Sequence, residues 1–340
     1  MYIVKNNTPY TADAVLLPDK DGTIAVAAVI KATFTFSATA ILWIAETQLP
    51  LCYGDEYWGE PGISSLRYPT DMVYEKTGTD IIVNGHAYVP GFAPVKESFV
   101  TIRVGSFKKS IAIRGDRFFT SHLGFVSKTA PIPFVKMPLR YERAFGGTDT
   151  SHPDPSKHGV FNKNPVGVGF RSSRSKTSAK GVALPNIEDV KNPVRTWNDR
   201  PEPVGFGCIP LFWEPRHSHA GTYDETWKKD RMPLPPRDTD LRYHNSAHPD
   251  LILPKPLSGK EKVTLINLHP AIEKLVFTLP DLVFTAAFTF DNETVKPRPV
   301  LDTLIVEPDE NRFILVYRAV YKGPVPISHI RQVVIYEERK

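Results

Sequence analysis

Four histidines in the middle of the chain carry the side chains best suited to binding a metal ion. His217 and His219 are separated by one residue, and His244 and His248 are separated by three. Zinc sites use three or four ligands on rigid elements, and two histidines four positions apart can supply a pair from one helix face. Pro249 and the polar residues inside the second pair disfavour a helix there. The spacing matches no standard ligand set, so we predict ordinary polar histidines, with no metal and no cofactor.

Two further segments could suggest a function, dinucleotide binding in one and a reactive cysteine in the other, but both lack the neighbouring residues that the function needs. Gly167-Val168-Gly169 has neither the third glycine nor the following helix of a dinucleotide-binding fingerprint, so it predicts a tight turn. Cys208 precedes an apolar run that ends at Trp213. A reactive thiolate needs a basic neighbourhood, whereas an apolar one raises the thiol pKa. Cys208 is therefore predicted to be structural.

Acidic and basic residues stand side by side in Glu142-Arg143 and in Asp199-Arg200. A glycosidase would need two carboxylates facing each other across a cleft, which spacing along the chain does not define. Local ion pairs or turn hydrogen bonds explain both acid–base pairs without catalysis. We therefore predict no catalytic residue and no enzymatic activity. The competing hypothesis is a hydrolase that uses histidine and acidic groups in the middle of the chain.

The segment from residue 60 to residue 85 is predicted to be a loop of defined shape. Pro61-Gly62 and Pro69 favour turns, because proline restricts φ and glycine tolerates left-handed backbone. A short β-branched run follows and ends at an Asn-Gly pair, which is typical of a strand and a turn. The side chains predicted to hold this loop, rather than to catalyse a reaction, are Glu60, Arg67, Tyr68, Asp71 and Asn84.

Aromatic residues accompany the prolines in the middle of the chain, where 18 of the 32 prolines lie between residues 131 and 260. Tryptophan and tyrosine dominate the energetics of protein interfaces, and proline-stiffened loops lose less entropy when a partner binds. The candidates for partner binding are Phe206, Trp213, Tyr223 and Trp227. The alternative is that these rings cover the core beneath the loops.

The elements that must position these residues are predicted to be strands at both ends of the chain. From residue 23 to 36 apolar residues alternate with period two, which indicates a strand with one buried face. Residues 99–105 and 109–115 repeat the pattern around a hairpin turn, and six further strands are predicted from residue 262 onward. Thr222, with Glu225 three positions later, predicts the N-terminus of one helix.

The predicted fold is mainly β with few short helices: antiparallel sheets form a sandwich-like body that carries a long irregular proline-rich insert. Residues 1–340 are assigned to a single domain, with a strand-rich part at 1–145, the irregular insert at 146–260 and a second strand-rich part at 261–340. Because the strand-rich parts flank the insert, we expect their strands to share sheets.

Composition narrows the classes of protein to consider. The 32 prolines among 340 residues are roughly twice the ordinary usage and disfavour long helices. A net charge of +5 is a mild excess that does not predict nucleic-acid binding. Two distant cysteines predict free thiols in a reducing compartment. No segment resembles a signal peptide or a spanning helix, so we predict a cytoplasmic protein without membrane insertion.

Short motifs along nearly the whole chain resemble, in one order, the bacterial domain-of-unknown-function family 2169. In the first half they are Asn6-Asn7-Thr8-Pro9, Lys31-Ala32-Thr33-Phe34, Gly59-Glu60-Pro61-Gly62, Ser64-Ser65-Leu66-Arg67-Tyr68-Pro69-Thr70-Asp71, Thr79-Asp80, Val83-Asn84-Gly85-His86-Ala87 and Pro138-Leu139-Arg140-Tyr141-Glu142-Arg143-Ala144-Phe145-Gly146-Gly147. Further on they are Asn164-Pro165-Val166-Gly167-Val168-Gly169-Phe170, Leu184-Pro185-Asn186-Ile187-Glu188, Asp199-Arg200-Pro201, Gly205-Phe206-Gly207, Gly221-Thr222-Tyr223-Asp224-Glu225-Thr226-Trp227 and Asn267-Leu268-His269-Pro270.

This resemblance implies a role in type VI secretion. The family is encoded beside genes for the secretion spike and for effectors of the PAAR type, and no catalytic motif defines it. The implied function is that of an adaptor or chaperone, which holds an effector through its PAAR-containing part and helps to load it onto the spike. The implied partners are thus the effector and the spike protein, and a structural component of the secretion machine is the weaker alternative.

Overall fold

The computed structural model describes residues 2–37, 39, 41–122, 125–175, 177–323 and 327–338. Strands dominate this part of the chain, and most of them pair in an antiparallel manner, so the prediction of a mainly β fold with few short helices is confirmed. One α-helix and several short 3₁₀-helices accompany them. No helix in the described ranges is long and apolar enough to cross a membrane.

The strands of the first half, in chain order, are β1 (Ile3–Asn7), β2 (Thr11–Pro18), β3 (Ile24–Phe36), β4 (Leu42–Ile44), β5 (Glu56–Tyr57), β6 (Leu66–Tyr68), β7 (Thr79–Val83), β8 (His86–Tyr88), β9 (Glu97–Val104), β10 (Phe107–Arg114), β11 (Phe119–His122), β12 (Phe125–Lys128), β13 (Lys136–Pro138), β14 (Phe145–Gly146), β15 (Thr148–Asp149), β16 (Gly159–Val160) and β17 (Val168–Gly169). The remaining strands are β18 (Ile187–Glu188), β19 (Ile252–Leu253), β20 (Lys262–Ile266), β21 (Lys274–Thr278), β22 (Phe284–Thr289), β23 (Thr294–Val295), β24 (Val300–Glu307), β25 (Arg312–Tyr321) and β26 (Gln332–Glu337). The α-helix is α1 (Glu225–Asp230), and the 3₁₀-helices are Pro90–Phe92, Tyr141–Arg143, Pro155–Lys157, His217–His219, Leu241–His244, Pro249–Leu251, Pro308–Glu310 and Ile327–His329.

Three larger sheets organise these strands. The largest has the order β19-β7-β24-β25-β3-β2, with β4 also pairing with β3. A five-stranded sheet has the order β18-β10-β9-β20-β21, and a four-stranded sheet has the order β1-β26-β22-β23. Every one of them combines strands from both ends of the chain, for example β3 with β25, β9 with β20 and β1 with β26. The expectation that the two strand-rich parts share sheets is therefore confirmed.

Strand β3 lies inside the largest sheet, and both of its faces are buried. The period-two alternation of apolar residues in this strand predicted one buried and one solvated face. That prediction is wrong, because other parts of the chain cover both faces. On the face of Val26 and Phe36, Phe36 stacks on Phe277 of β21 with ring centroids 5.4 Å apart. On the same face, Tyr317 of β25 meets Phe284 of β22 edge to face at 4.9 Å. These aromatic contacts join the three large sheets into one hydrophobic core.

In the described part of the insert at 146–260, short strands, short helices and turns alternate with longer irregular segments, as its composition indicates. Helix α1 begins two residues later than predicted, because Asp224 rather than Thr222 is the N-cap and accepts a hydrogen bond from the Trp227 amide. The Thr222 hydroxyl instead donates to Asp238 at 2.7 Å. The insert is anchored to the largest sheet, where the Val83 amide of β7 donates to the Phe206 carbonyl.

Candidate functional site

A cavity of about 720 Å³ opens in the insert. Residues of three 3₁₀-helices line it: His217–His219, Leu241–His244 and Pro249–Leu251. The walls combine prolines with charged and polar groups; the polar ones are Thr77, Arg216, His219, Asp240, Arg242 and Asn245. The cavity thus offers apolar surface together with a few oriented polar atoms, the usual composition of a binding site.

Arg216 contributes a buried positive charge to the wall of this cavity. Its side chain is buried, and it donates from Nε to the Tyr243 carbonyl at 2.9 Å and from Nη1 to the Ile209 carbonyl at 2.8 Å. Arg216 forms no direct ion pair among the described residues, and Asp55 and Asp80 act on its charge from a longer distance. Burial lowers the pKa of the guanidinium from its ordinary value, although arginine stays charged in proteins. Two carbonyls therefore hold a cation at the wall of the cavity.

Asn245, which lines the cavity, is held by a fully buried carboxylate, Asp80 of β7. Its Oδ1 accepts from Asn245 Nδ2 at 2.9 Å, and its Oδ2 accepts from Lys76 Nζ at 2.8 Å and from the Ser246 amide at 2.9 Å. Burial opposes ionisation of Asp80, but Lys76 and these hydrogen bonds together hold its pKa below the usual value. The ionised carboxylate consequently ties the insert to the largest sheet.

A second buried ion pair lies on the same sheet, where Lys31 Nζ donates to Asp71 Oδ2 at 2.9 Å. Arg318 joins it from β25, since its Nη1 donates to the Asp71 carbonyl at 2.8 Å and its Nε pairs with Asp302 at 2.7 Å. Cys52 is also within this group, with its amide 2.8 Å from Asp71 Oδ2. Charged groups thus replace part of the apolar core on this face, and each carboxylate is matched by a cation.

The five residues predicted to shape the loop occupy different positions. Arg67 lies over the rings of Trp58 and Tyr68, 4.8 and 4.9 Å from their centroids. Tyr68 donates a hydrogen bond to Glu307. Asn84 Nδ2 donates to the Arg67 carbonyl at 2.9 Å, which fixes the backbone at that point.

Asp71 pairs with Lys31, as described above, whereas Glu60 is exposed at the tip of the loop. Glu60 contributes a backbone carbonyl that accepts from the Ser64 hydroxyl at 2.8 Å. The structure therefore brings Arg67, Tyr68, Asp71 and Asn84 into contact with the core and leaves the Glu60 side chain outside it.

The four aromatic candidates for partner binding separate into two pairs. Phe206 and Trp213 are 0% exposed, so the expectation that they contribute to a partner surface is wrong. Both pack in the main core, because the insert folds its apolar run inward against Tyr141, which Trp213 meets edge to face at 5.8 Å. Tyr223 is 55% exposed, and Trp227 is half-buried beside it on α1 with the two ring centroids 4.6 Å apart.

The histidines of the insert make separate contacts instead of a cluster. His244 Nδ1 lies 2.7 Å from the Glu75 carbonyl, and His248 Nε2 lies 3.0 Å from the Pro203 carbonyl. Burial lowers the pKa of His244 to about 4, so its ring is neutral at pH 7. No group of three or more metal-binding side chains occurs within the described ranges. Cys208 is fully buried, and burial raises its thiol pKa, which confirms the predicted apolar setting.

Arg216 and Asp80 were not among the residues predicted to form a site. No sequence signal identifies Arg216, because its carbonyl partners at Ile209 and Tyr243 are brought to it by the turns of the insert. Asp80 lies within a short strand, and its partners Asn245 and Ser246 follow more than 160 residues later. Only the tertiary structure shows that these groups meet.

The fold and the site define a mainly β protein with a cavity in a long proline-rich insert. Residues 21–318 match the family described as an uncharacterized protein conserved in bacteria, DUF2169, and the chain belongs to this family. The match confirms the family resemblance read from the short motifs. No curated protein and no solved structure matches the chain.

Proposed function

We propose that this protein is a non-catalytic adaptor that binds a type VI secretion effector in the cytoplasm through the effector's PAAR-containing region. It helps to load that effector onto the secretion spike. The observation that supports a binding role is the aromatic pair of Tyr223, which is 55% exposed just before α1, and Trp227, which is half-buried on α1, with their ring centroids 4.6 Å apart. The family resemblance supports the choice of effector and spike as partners.

The aromatic pair is held in place by the rest of the insert. Trp227 Nε1 donates to the Leu234 carbonyl at 2.8 Å, and Thr222 at the start of the helix segment donates to Asp238. Thr239 donates to the Ala220 carbonyl at 2.9 Å, which connects this segment to the cavity wall. A preformed aromatic surface loses little conformational entropy on binding, so it gains affinity without additional contacts. Met232, 63% exposed, adds apolar area after the helix.

The test is capture of the effector and the spike protein encoded near this gene, each alone and both together, by the tagged full-length protein. Tyr223→Ala and Trp227→Ala should remain folded and should weaken capture of the effector by about 2 kcal/mol, the scale of an interface hot spot. Trp43→Ala is the matched control, because Trp43 is an exposed tryptophan on β4, outside the insert.

Two outcomes would contradict this proposal in different ways. Capture at wild-type strength by the folded Tyr223 and Trp227 variants would show that the binding surface is elsewhere. Failure of the wild-type protein to capture either partner would overturn the adaptor function itself. Conversion of the effector into a smaller product, instead of its capture, would support the hydrolase hypothesis.

A further inference from the structure

One face of the five-stranded sheet carries four exposed cations. Arg103 lies on β9, Lys108 on β10, Lys262 on β20 and Lys274 on β21. They surround a groove of about 380 Å³, and no aspartate or glutamate is among the described residues that line it. None of the four cations has an ion-pair partner in the described part of the chain. The groove shares no lining residue with the cavity of the insert.

The strand register concentrates this charge. Lys108 and Arg103 are direct partners across the antiparallel β9–β10 pair, and Arg103 is also opposite Thr264 of β20. Side chains opposite each other in such a pair project on the same face with Cβ atoms about 5 Å apart. Two like charges at opposed positions destabilise a sheet. An uncompensated arrangement of this kind costs stability in the free protein, and an anionic partner would remove that cost.

Protection of the sheet edge explains only a part of this pattern. Lysine on an edge strand discourages pairing with another chain, and Lys274 on the terminal strand β21 suits that purpose. Arg103 and Lys262, however, lie on strands that have a neighbour on both sides. A charge in the middle of the sheet does not block an edge. The cations of β9 and β20 therefore need another explanation.

We propose that this cationic face binds an extended acidic segment of a partner protein, which lies across strands β10, β9, β20 and β21. Charge complementarity selects acidic side chains, and the half-buried Val276 and Ile266 between the cations accept aliphatic ones. Sheet surfaces that bind single-stranded nucleic acid offer several aromatic rings for stacking bases. On β9 the exposed aromatic residue is Phe99, which lies about 13 Å along the strand from Arg103. A single ring at that distance from the cation is a poor platform for stacked bases. A protein segment therefore fits this face better than a nucleic acid.

This proposal does not rest on the adaptor function, and it is tested with a peptide of known composition. The probe is a fluorescein-labelled peptide of alternating Glu and Val, about 12 residues long, which exceeds the roughly 15 Å between the outer two of the four strands. The same peptide with Gln in place of Glu is the uncharged control. Anisotropy is measured with full-length protein at about 0.05 M and about 0.5 M salt, because screening weakens exposed charge pairs. A single-stranded oligonucleotide of similar length is measured in parallel.

The test variant is Arg103→Gln/Lys108→Gln, and the matched control is Lys5→Gln/Lys180→Gln, which removes the same charge from exposed lysines elsewhere. We expect the Glu peptide to bind in a saturable, salt-dependent manner, with an affinity about tenfold lower in the test variant and unchanged in the control. The test variant should melt no lower than the wild type, since a like-charge contact is removed.

Three results would overturn this proposal. The first is absence of binding of the Glu peptide to the wild-type protein at low salt. The second is an equal loss of affinity in the control variant, because non-specific attraction to the whole protein would then explain the binding. The third is tighter, Arg103-dependent binding of the oligonucleotide, which would assign the face to nucleic acid.

Discussion

Replacement of Asp80 by asparagine should strongly destabilise this protein, because Asp80 is the anion at the centre of a buried network. Oδ2 accepts from Lys76 and from the Ser246 amide, and Oδ1 accepts from Asn245. Asn has one oxygen and one NH₂ group, so one side of the new amide must point a donor at existing donors. Lys76, whose side chain is only 3% exposed, would lose the partner of its charge.

The expected cost follows from these contacts. Removal of one partner of a buried ion pair costs about 3–5 kcal/mol, since the remaining charge is buried without compensation. For a chain of this length we expect a decrease in Tm of roughly 2 °C per kcal/mol, or about 8 °C in total. Urea unfolding followed by circular dichroism gives the free energy of unfolding, and Asp240→Asn is the control. Asp240 is paired with Arg242 near the surface, where solvent screens the pair, so its loss should cost far less.

Two further measurements identify the cause of the loss. Lys76→Met added to Asp80→Asn should restore part of the lost stability, because the uncompensated ammonium is then absent. The folded-state pKa of Asp80 is lower than its ordinary 3.8, so its contribution is present above pH 3.8 and is lost as pH falls through the folded value. The difference between wild type and Asp80→Asn should therefore be constant at neutral pH and shrink in acid. A loss below about 1 kcal/mol, or a difference independent of acid pH, would refute the ion-pair explanation.

Two other predictions concern stability. His244 has a pKa of about 4 in the folded protein and 6.5 in the unfolded one, so acidification from pH 6.5 to 4 should lower the free energy of unfolding by roughly 3 kcal/mol. His244→Gln should remove that part of the pH dependence of Tm. A Tm profile of the variant that is the same as that of the wild type would contradict this prediction. Arg67→Ala should lower the free energy of unfolding by about 1–2 kcal/mol, because two cation–aromatic contacts are lost. Arg67→Lys should lose only a part of that free energy. Equal effects of both variants in urea unfolding would show that planar stacking of the guanidinium is not the cause.

Local patterns in the sequence determined the strands of this protein. Period-two alternation and β-branched residues predicted β3, the β9–β10 hairpin and the strands after residue 262, because side chains of a strand project alternately to its two faces. The capping signal near Thr222 located α1 to within two residues. Proline content also indicated the irregular insert, since proline interrupts helices and central strands wherever it occurs.

The tertiary structure alone decided which surfaces these elements bury and which charges they bring together. Both faces of β3 are covered, and Phe206 and Trp213 are turned into the core, because strands distant in sequence pack on them. Asp80 meets Asn245 across 165 residues, and Arg103 meets Lys108 through the strand register. Periodicity describes one strand at a time, whereas burial and pairing of charge depend on the neighbour that the fold supplies.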